Sequence, residues 1–166
     1  MKKSLKLKLK KIKVVITDVD GVLTDGGMYY TKNGDIMKKF YARDGMGVTL
    51  LRKIGVPTIV LTKEKTVMVK HWSKKMRVKE LFDGVTKKES KLDSICKKND
   101  VALNEIAYVG DDVNDIQVLK KVGLAITPKD GEDSVKENCD YICSHVGGNG
   151  AFRELVDLIL EVQNKN

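Results

Sequence analysis

Ile16-Thr17-Asp18-Val19-Asp20-Gly21-Val22-Leu23-Thr24-Asp25-Gly26 sets two carboxylates two residues apart, where an apolar run gives way to glycine turns. Residues i and i+2 of an extended strand share a face, so Asp18 and Asp20 project together. Clustered carboxylates repel unless a proton or a cation lies between them. A hard ion such as Mg²⁺ meets that demand, because it binds one or two carboxylates and keeps sites for water and a substrate phosphate. Asp and Gly are also ordinary turn residues, so the stretch acquires its meaning from what surrounds it.

Upstream, residues 12–17 form a short β-branched run that reads as a buried strand. Downstream, 28–31 and 36–41 flank an Asn33-Gly34 turn, which is a hairpin signal. Asp44 is placed to cap a helix through about residue 54, ended by Gly55 and Pro57. Strands at 58–62, 81–85, 106–110, 124–126 and 141–143 then alternate with helices at 65–76, 88–98, 112–122, 134–138 and 151–163. Such alternation implies right-handed crossovers and an α/β fold, a Rossmann-like parallel sheet with helices on both faces. Ligands of such sheets gather at the carboxyl ends of the strands.

A chain of 166 residues is most simply one domain, expected here as 12–166 behind a basic extension at 1–11. The formal charge of +8 comes almost wholly from the start of the chain. Residues 1–13 hold seven lysines and no acid, and the remainder carries 24 basic against 23 acidic residues. A solvated, partly frayed tail is expected there, with leucines alternating among lysines instead of forming a secretory signal. The body has few aromatic residues and no stacking motif, so nucleic acid is a poor partner. No apolar run approaches the roughly 20 residues of a membrane span. Three cysteines, 96, 139 and 143, point to a reducing, cytoplasmic setting and away from a disulfide framework.

Four polar features fall at predicted strand ends: Asp18 with Asp20, Thr62, Lys88, and the cluster Gly110-Asp111-Asp112-Val113-Asn114-Asp115. Together they suit phosphoryl transfer. A carboxylate nucleophile needs a cation to approach an anionic phosphate, and Asp18 with Asp111 could hold one. Thr62 and Lys88 can bind phosphoryl oxygens, which leaves Asp20 to protonate a leaving alcohol and then to activate water. Each part has a plainer reading: Thr62 as a helix cap, Lys88 as a solvated lysine, and the acidic cluster as the cap of the next helix.

The ordered set resembles the four motifs of the haloacid dehalogenase superfamily of phosphatases. Asp18-Val19-Asp20-Gly21 matches the first, Thr62 the second, Lys88 the third, and Gly110-Asp111-Asp112 with Asp115 the fourth. The resemblance implies a phosphoaspartyl intermediate on Asp18 and acid/base work by Asp20. It also implies Mg²⁺ held by the side chains of Asp18 and Asp111 and the backbone carbonyl of Asp20, with Asp112, Asn114 and Asp115 in support.

Asp20 through Gly26, Ala42-Arg43-Asp44-Gly45 and Gly147 through Glu154 further resemble the capless phosphatases of eight- and nine-carbon acidic keto sugars. Too few residues follow the second motif before the next strand to hold a cap domain. That group implies an octulosonate 8-phosphate or nonulosonate 9-phosphate substrate. It also implies a homotetramer in which the hairpin and tail of one subunit help close a neighbour's site. Arg43, Glu64 and Arg153 are the expected substrate contacts, the arginines for the sugar carboxylate. Lys63 stands where the group usually has glycine. Two competing functions follow from the same residues: an aspartate-phosphorylated receiver domain, which the motif order disfavours, and an inactive oligomerisation module, which the intact acids disfavour.

Overall fold

The computed structural model describes residues 1–163. Helix α1 (Lys3–Lys11) precedes β1 (Val14–Thr17), and a hairpin of β2 (Tyr29–Thr31) and β3 (Gly34–Met37) follows. Then come α2 (Ala42–Lys53), β4 (Thr58–Leu61), α3 (Val67–Met76), β5 (Glu80–Phe82) and α4 (Leu92–Asn99). The chain continues through β6 (Ile106–Val109), α5 (Ile116–Leu119), β7 (Leu124–Thr127), α6 (Asp133–Lys136), β8 (Tyr141–Ile142) and α7 (Ala151–Gln163).

Apart from the hairpin, the strands make one six-stranded sheet in the order β5-β4-β1-β6-β7-β8, parallel throughout. No cap domain interrupts it. Within this sheet the four central strands, β4, β1, β6 and β7, are buried along their whole length, as short apolar runs covered on both faces must be. Alternate side chains feed two cores. Val15, Val60 and Val109 pack under α1, α2, α3 and α7, while Val14, Ile16, Ile59 and Leu61 pack under α4, α5 and α6. The chain leaves β1 on one side for β4 and returns on the other at β6, so the crevice at this reversal is the natural ligand site.

Residues 3–11 are not a frayed tail. Leu5 and Leu9 are four apart and share one helical stripe, while Leu7 stays exposed on another side. Leu9 and Ile12 are fully buried in the core beside α7, and the Gln163 side-chain amide donates to their carbonyls at 3.1 and 2.8 Å. Read as alternation, the leucines concealed this helix.

Asp44 also differs from expectation. The helix begins two residues earlier, at Ala42, with Asp44 inside its first turn. The buried carboxylate instead accepts the amides of Gly150 at 3.3 Å and Arg153 at 2.8 Å, capping α7 from another element. Burial lifts this carboxyl to about 6 although the two amides and nearby cations draw it down. Among the described residues no helix is long and apolar enough to cross a membrane.

Because α1 is packed, Leu9→Ala should lower stability by about 2–5 kcal/mol, the usual loss for emptying a buried leucine site. Urea unfolding checks this. A change below about 0.5 kcal/mol would place α1 outside the cooperative unit.

Candidate active site

The carboxyl ends of β1, β4 and β6 bring the sequence motifs together. Asp18 follows β1 directly, and its Oδ1 accepts the Val19 amide at 2.7 Å. Lys88 Nζ lies 2.6 Å from Asp18 Oδ2 and 2.6 Å from Asp115 Oδ1, with no exposed side-chain surface. Asp115 is fully engaged. Its Oδ1 also accepts the Tyr108 hydroxyl, and its Oδ2 accepts the amides of Asp111 at 3.0 Å and Asp112 at 3.4 Å. The short turn after β6 therefore exists to fold Asp115 back under Asp111, and Asp112 caps that turn through the Val113 amide at 2.6 Å.

Among the described residues, Asp18, Asp111 and Asp115 offer carboxylate oxygens within 4.8 Å of one another. One ammonium cannot balance these three carboxylates, and the surplus negative charge raises two of them. Burial first, then the Asp115 charge, lifts Asp18 to about 7 despite Lys88. Burial, then Asp18 and Asp115, lifts Asp111 to about 8. Burial disfavours the Lys88 charge, but the two carboxylates outweigh it and hold the ammonium above its ordinary value. Asp111 Oδ1 is buried without a hydrogen-bond partner among the described residues. A hard divalent cation fits this set: Asp111 has a free valence and Asp18 a neighbouring one, whereas the oxygens of Asp115 are already taken.

A cleft of about 280 Å³ opens beside these groups, lined by Asp18, Asp20, Thr62, Lys63, Glu64, Asp111, Asp112 and Asn114. Gly21 belongs to its wall for a steric reason. With φ at +81°, a Cβ there would stand 1.9 Å from Asp111 Oδ2. Beneath that loop Gly147 is equally confined, since its Cβ would meet the Gly21 carbonyl oxygen at 1.9 Å. Thr62 does not cap the following helix; Thr66 does, through the Val69 amide at 3.3 Å, which leaves Thr62 in the cleft. Lys88 is not a solvated lysine, and it reaches Asp18 from below the cleft.

Two expected substrate contacts lie elsewhere. Arg43 and Arg153 do not line this cleft in the same chain. They share a separate hollow of about 710 Å³ with Tyr41, Ser144, His145 and Glu154, and Arg153 Nε is bound to Asp157 at 2.7 Å. Glu154 anchors that wall. Burial opposes its charge, yet donors from Tyr141, Ser144 and His145 hold it down at about 2.

Two residues of the site were missed from the sequence. Tyr108 stood inside an apolar strand, and a buried phenol needs a partner, which was a usable signal. Lys38, 2.6 Å from Asp20 Oδ1, had none, because its partner lies across the hairpin.

Comparison with known proteins agrees with this geometry. The haloacid dehalogenase-like hydrolase family matches residues 60–155. The chain is 37% identical over 159 residues to 3-deoxy-D-manno-octulosonate 8-phosphate phosphatase of Haemophilus influenzae, covering 96% of this chain and 88% of the relative. The Escherichia coli K12 phosphatase is 34% identical, covering 95% and 84%. A cobalt-bound structure of the Haemophilus influenzae enzyme superposes with a TM-score of 0.93 at 37% identity, over 95% of this chain and 92% of that one. The Moraxella catarrhalis enzyme, in complex with magnesium ion, phosphate ion and a KDO molecule, gives 0.95 at 34% identity, over 99% and 94%.

The raised carboxyls set a pH dependence. Both groups titrate well above their unfolded values, so without metal their contribution to stability is complete in acid and is lost as pH rises through about 7 to 8. A cation needs both deprotonated and relieves that loss. The rise in melting temperature on adding Mg²⁺ should therefore be larger at about pH 8.5 than at about pH 6. Equal increments at both would contradict the assignment.

Proposed function

The chain belongs to the haloacid dehalogenase-like hydrolase family, in its branch of 3-deoxy-D-manno-octulosonate 8-phosphate phosphatases, and we propose that it releases phosphate from an acidic eight-carbon keto-sugar 8-phosphate. The observation carrying this reading is the meeting of Asp18, Lys88 and Asp111 at one cleft, in a chain that matches those enzymes along nearly its full length.

In this reading an Asp18 carboxylate oxygen attacks phosphorus as the phosphorus–oxygen bond to the sugar breaks. Asp20 gives its proton to the departing alkoxide. Water then attacks the phosphoaspartate, Asp20 takes the water's proton, and phosphate leaves with Asp18 restored. Lys88, held by Asp115, orients Asp18 and offsets charge on the transferring group. The Thr62 hydroxyl, which lines the cleft, binds a phosphoryl oxygen. Mg²⁺, held by the carboxylates of Asp18 and Asp111 and the backbone carbonyl of Asp20, would supply charge neutralisation between nucleophile and phosphate. Asp112 and Asn114 support the turn that carries Asp111.

Without a cap, the cleft needs another cover, and a neighbouring subunit is the proposed source. The hairpin exposes Met28, Tyr30, Ile36 and Met37 along its stem, apolar surface suited to burial in a homotetramer. Arg43 and Arg153, away from their own cleft, would then meet the substrate carboxylate across the interface, while Glu64 and Lys63 contact the sugar from within the chain. The three free cysteines accord with a cytoplasmic setting.

Asp18→Asn should abolish phosphate release while leaving the melting temperature within a few degrees; full activity in that variant would overturn the mechanism. For the substrate, kcat/KM on octulosonate 8-phosphate should exceed that on a nine-carbon 9-phosphate by at least about tenfold, or ~1.4 kcal/mol in transition-state binding. The reverse preference would reassign it. Mixing Asp18→Asn with Arg43→Ala subunits should restore activity that neither has alone, and absence of restoration would keep Arg43 within its own chain.

A further inference from the structure

We propose that Lys38 is a positioning residue for Asp20: its ammonium fixes one carboxylate oxygen so that the other is presented to the cleft for proton transfer. This rests on the acid/base reading of Asp20 above. Lys38 follows β3 in an otherwise exposed hairpin, yet its side chain is only 7% exposed. Its Nζ lies 2.6 Å from Asp20 Oδ1, and the Thr24 hydroxyl donates to that same oxygen at 3.1 Å. Asp20 Oδ2 is buried and has no partner among the described residues, although Asp20 lines the cleft. The two oxygens are thus divided: one is held by two donors and the other is left for the reaction.

The hold is built into the backbone. Lys39 pairs with Asp25 at 3.3 Å, and Phe40 bridges to Thr24, so three consecutive hairpin residues grip the 20–25 loop. Phe40 in turn stacks on Trp72 of α3, ring centroids 4.9 Å apart. A lysine is a costly way to fill this position, since ordering its stem loses rotamer entropy and its charge is drawn out of water. The ion pair to Asp20 is the compensation. Lys38 does not line the cleft and exchanges no proton itself. It determines where the Asp20 proton is delivered and collected.

The test uses the full chain with Mg²⁺. Lys38→Met keeps the stem and removes the ammonium, Lys38→Arg restores a cation, and Asp20→Asn is the reference. On the sugar phosphate, Lys38→Met should lower kcat by about ten- to a hundredfold, toward the scale of a lost general acid/base, with KM within about twofold. With 4-nitrophenyl phosphate, whose leaving group needs no proton, the first turnover should stay fast while the steady state slows, giving a burst of nitrophenolate. Lys38→Arg should recover most of the rate. A steady-state rate within about twofold of the parent, or a first turnover that falls in step with it, would overturn the positioning role. If Asp20→Asn is inactive in either case, only the Lys38 assignment fails; if Asp20→Asn is fully active, the acid/base reading fails with it.

Discussion

A single ammonium with no exposed surface, shared between carboxylates that follow different strands, is the interaction on which the rest of this structure turns. Lys88 reaches Asp18 from one side and Asp115 from the other, so it spans the point where the sheet reverses direction. The Tyr108 hydroxyl and the amides of Asp111 and Asp112 close the remaining valences of Asp115. Such a buried cluster is costly to desolvate and repays the fold only if nearly every member is satisfied. Here the satisfied members lie beneath, and Asp20 and Asp111, each with one buried oxygen unpartnered among the described residues, line the cleft. The surplus negative charge is thereby concentrated at one place, where a cation and a phosphate can relieve it together.

The acids of the site were legible because their chemistry is local. Asp18 directly follows β1 and Asp20 lies in the turn beyond it, not on the strand, so their nearness in sequence and not strand alternation made the pair legible. Asp111 through Asp115 follow a short apolar run with no other use for three carboxylates. Strand and helix alternation likewise fixed the sheet. What escaped the sequence was every role set by a distant partner. Asp44 read as the cap of its own helix and caps α7 instead; Lys38 carried no signal of its own and holds Asp20. The leucines of α1 read as alternating because Leu7 breaks the stripe that Leu5 and Leu9 share. Arg43 and Arg153, expected at the substrate with help from a neighbouring subunit, line another hollow of the same chain.

The hairpin and the segment 147–154 together hold the loop that carries Asp20 and Gly21. One grips the catalytic loop from above through residues 38–40, and the other supports it from below through Gly147. Neither is long, although 147–154 also sends Ala151 and Phe152 into the core. Their value lies in holding the geometry of a loop that must bring Gly21 against Asp111 without a side chain between them. A rigid loop in turn lets small groups, a threonine hydroxyl and a carboxylate oxygen, act without reorganising during the reaction.

The support from Gly147 also has a temporal side. The loop it braces is made early, and more than 120 residues must be synthesised before the brace exists. At ordinary elongation rates that interval lasts about 6–25 s. Throughout it the nascent chain carries Asp18 and Asp20 without the backbone that sets their loop, and Asp44 waits a shorter span, 106 and 109 residues, for the amides it caps. A chain stalled before residue 147 would hold Asp18, Asp20 and Asp111 without the backbone that braces their loop.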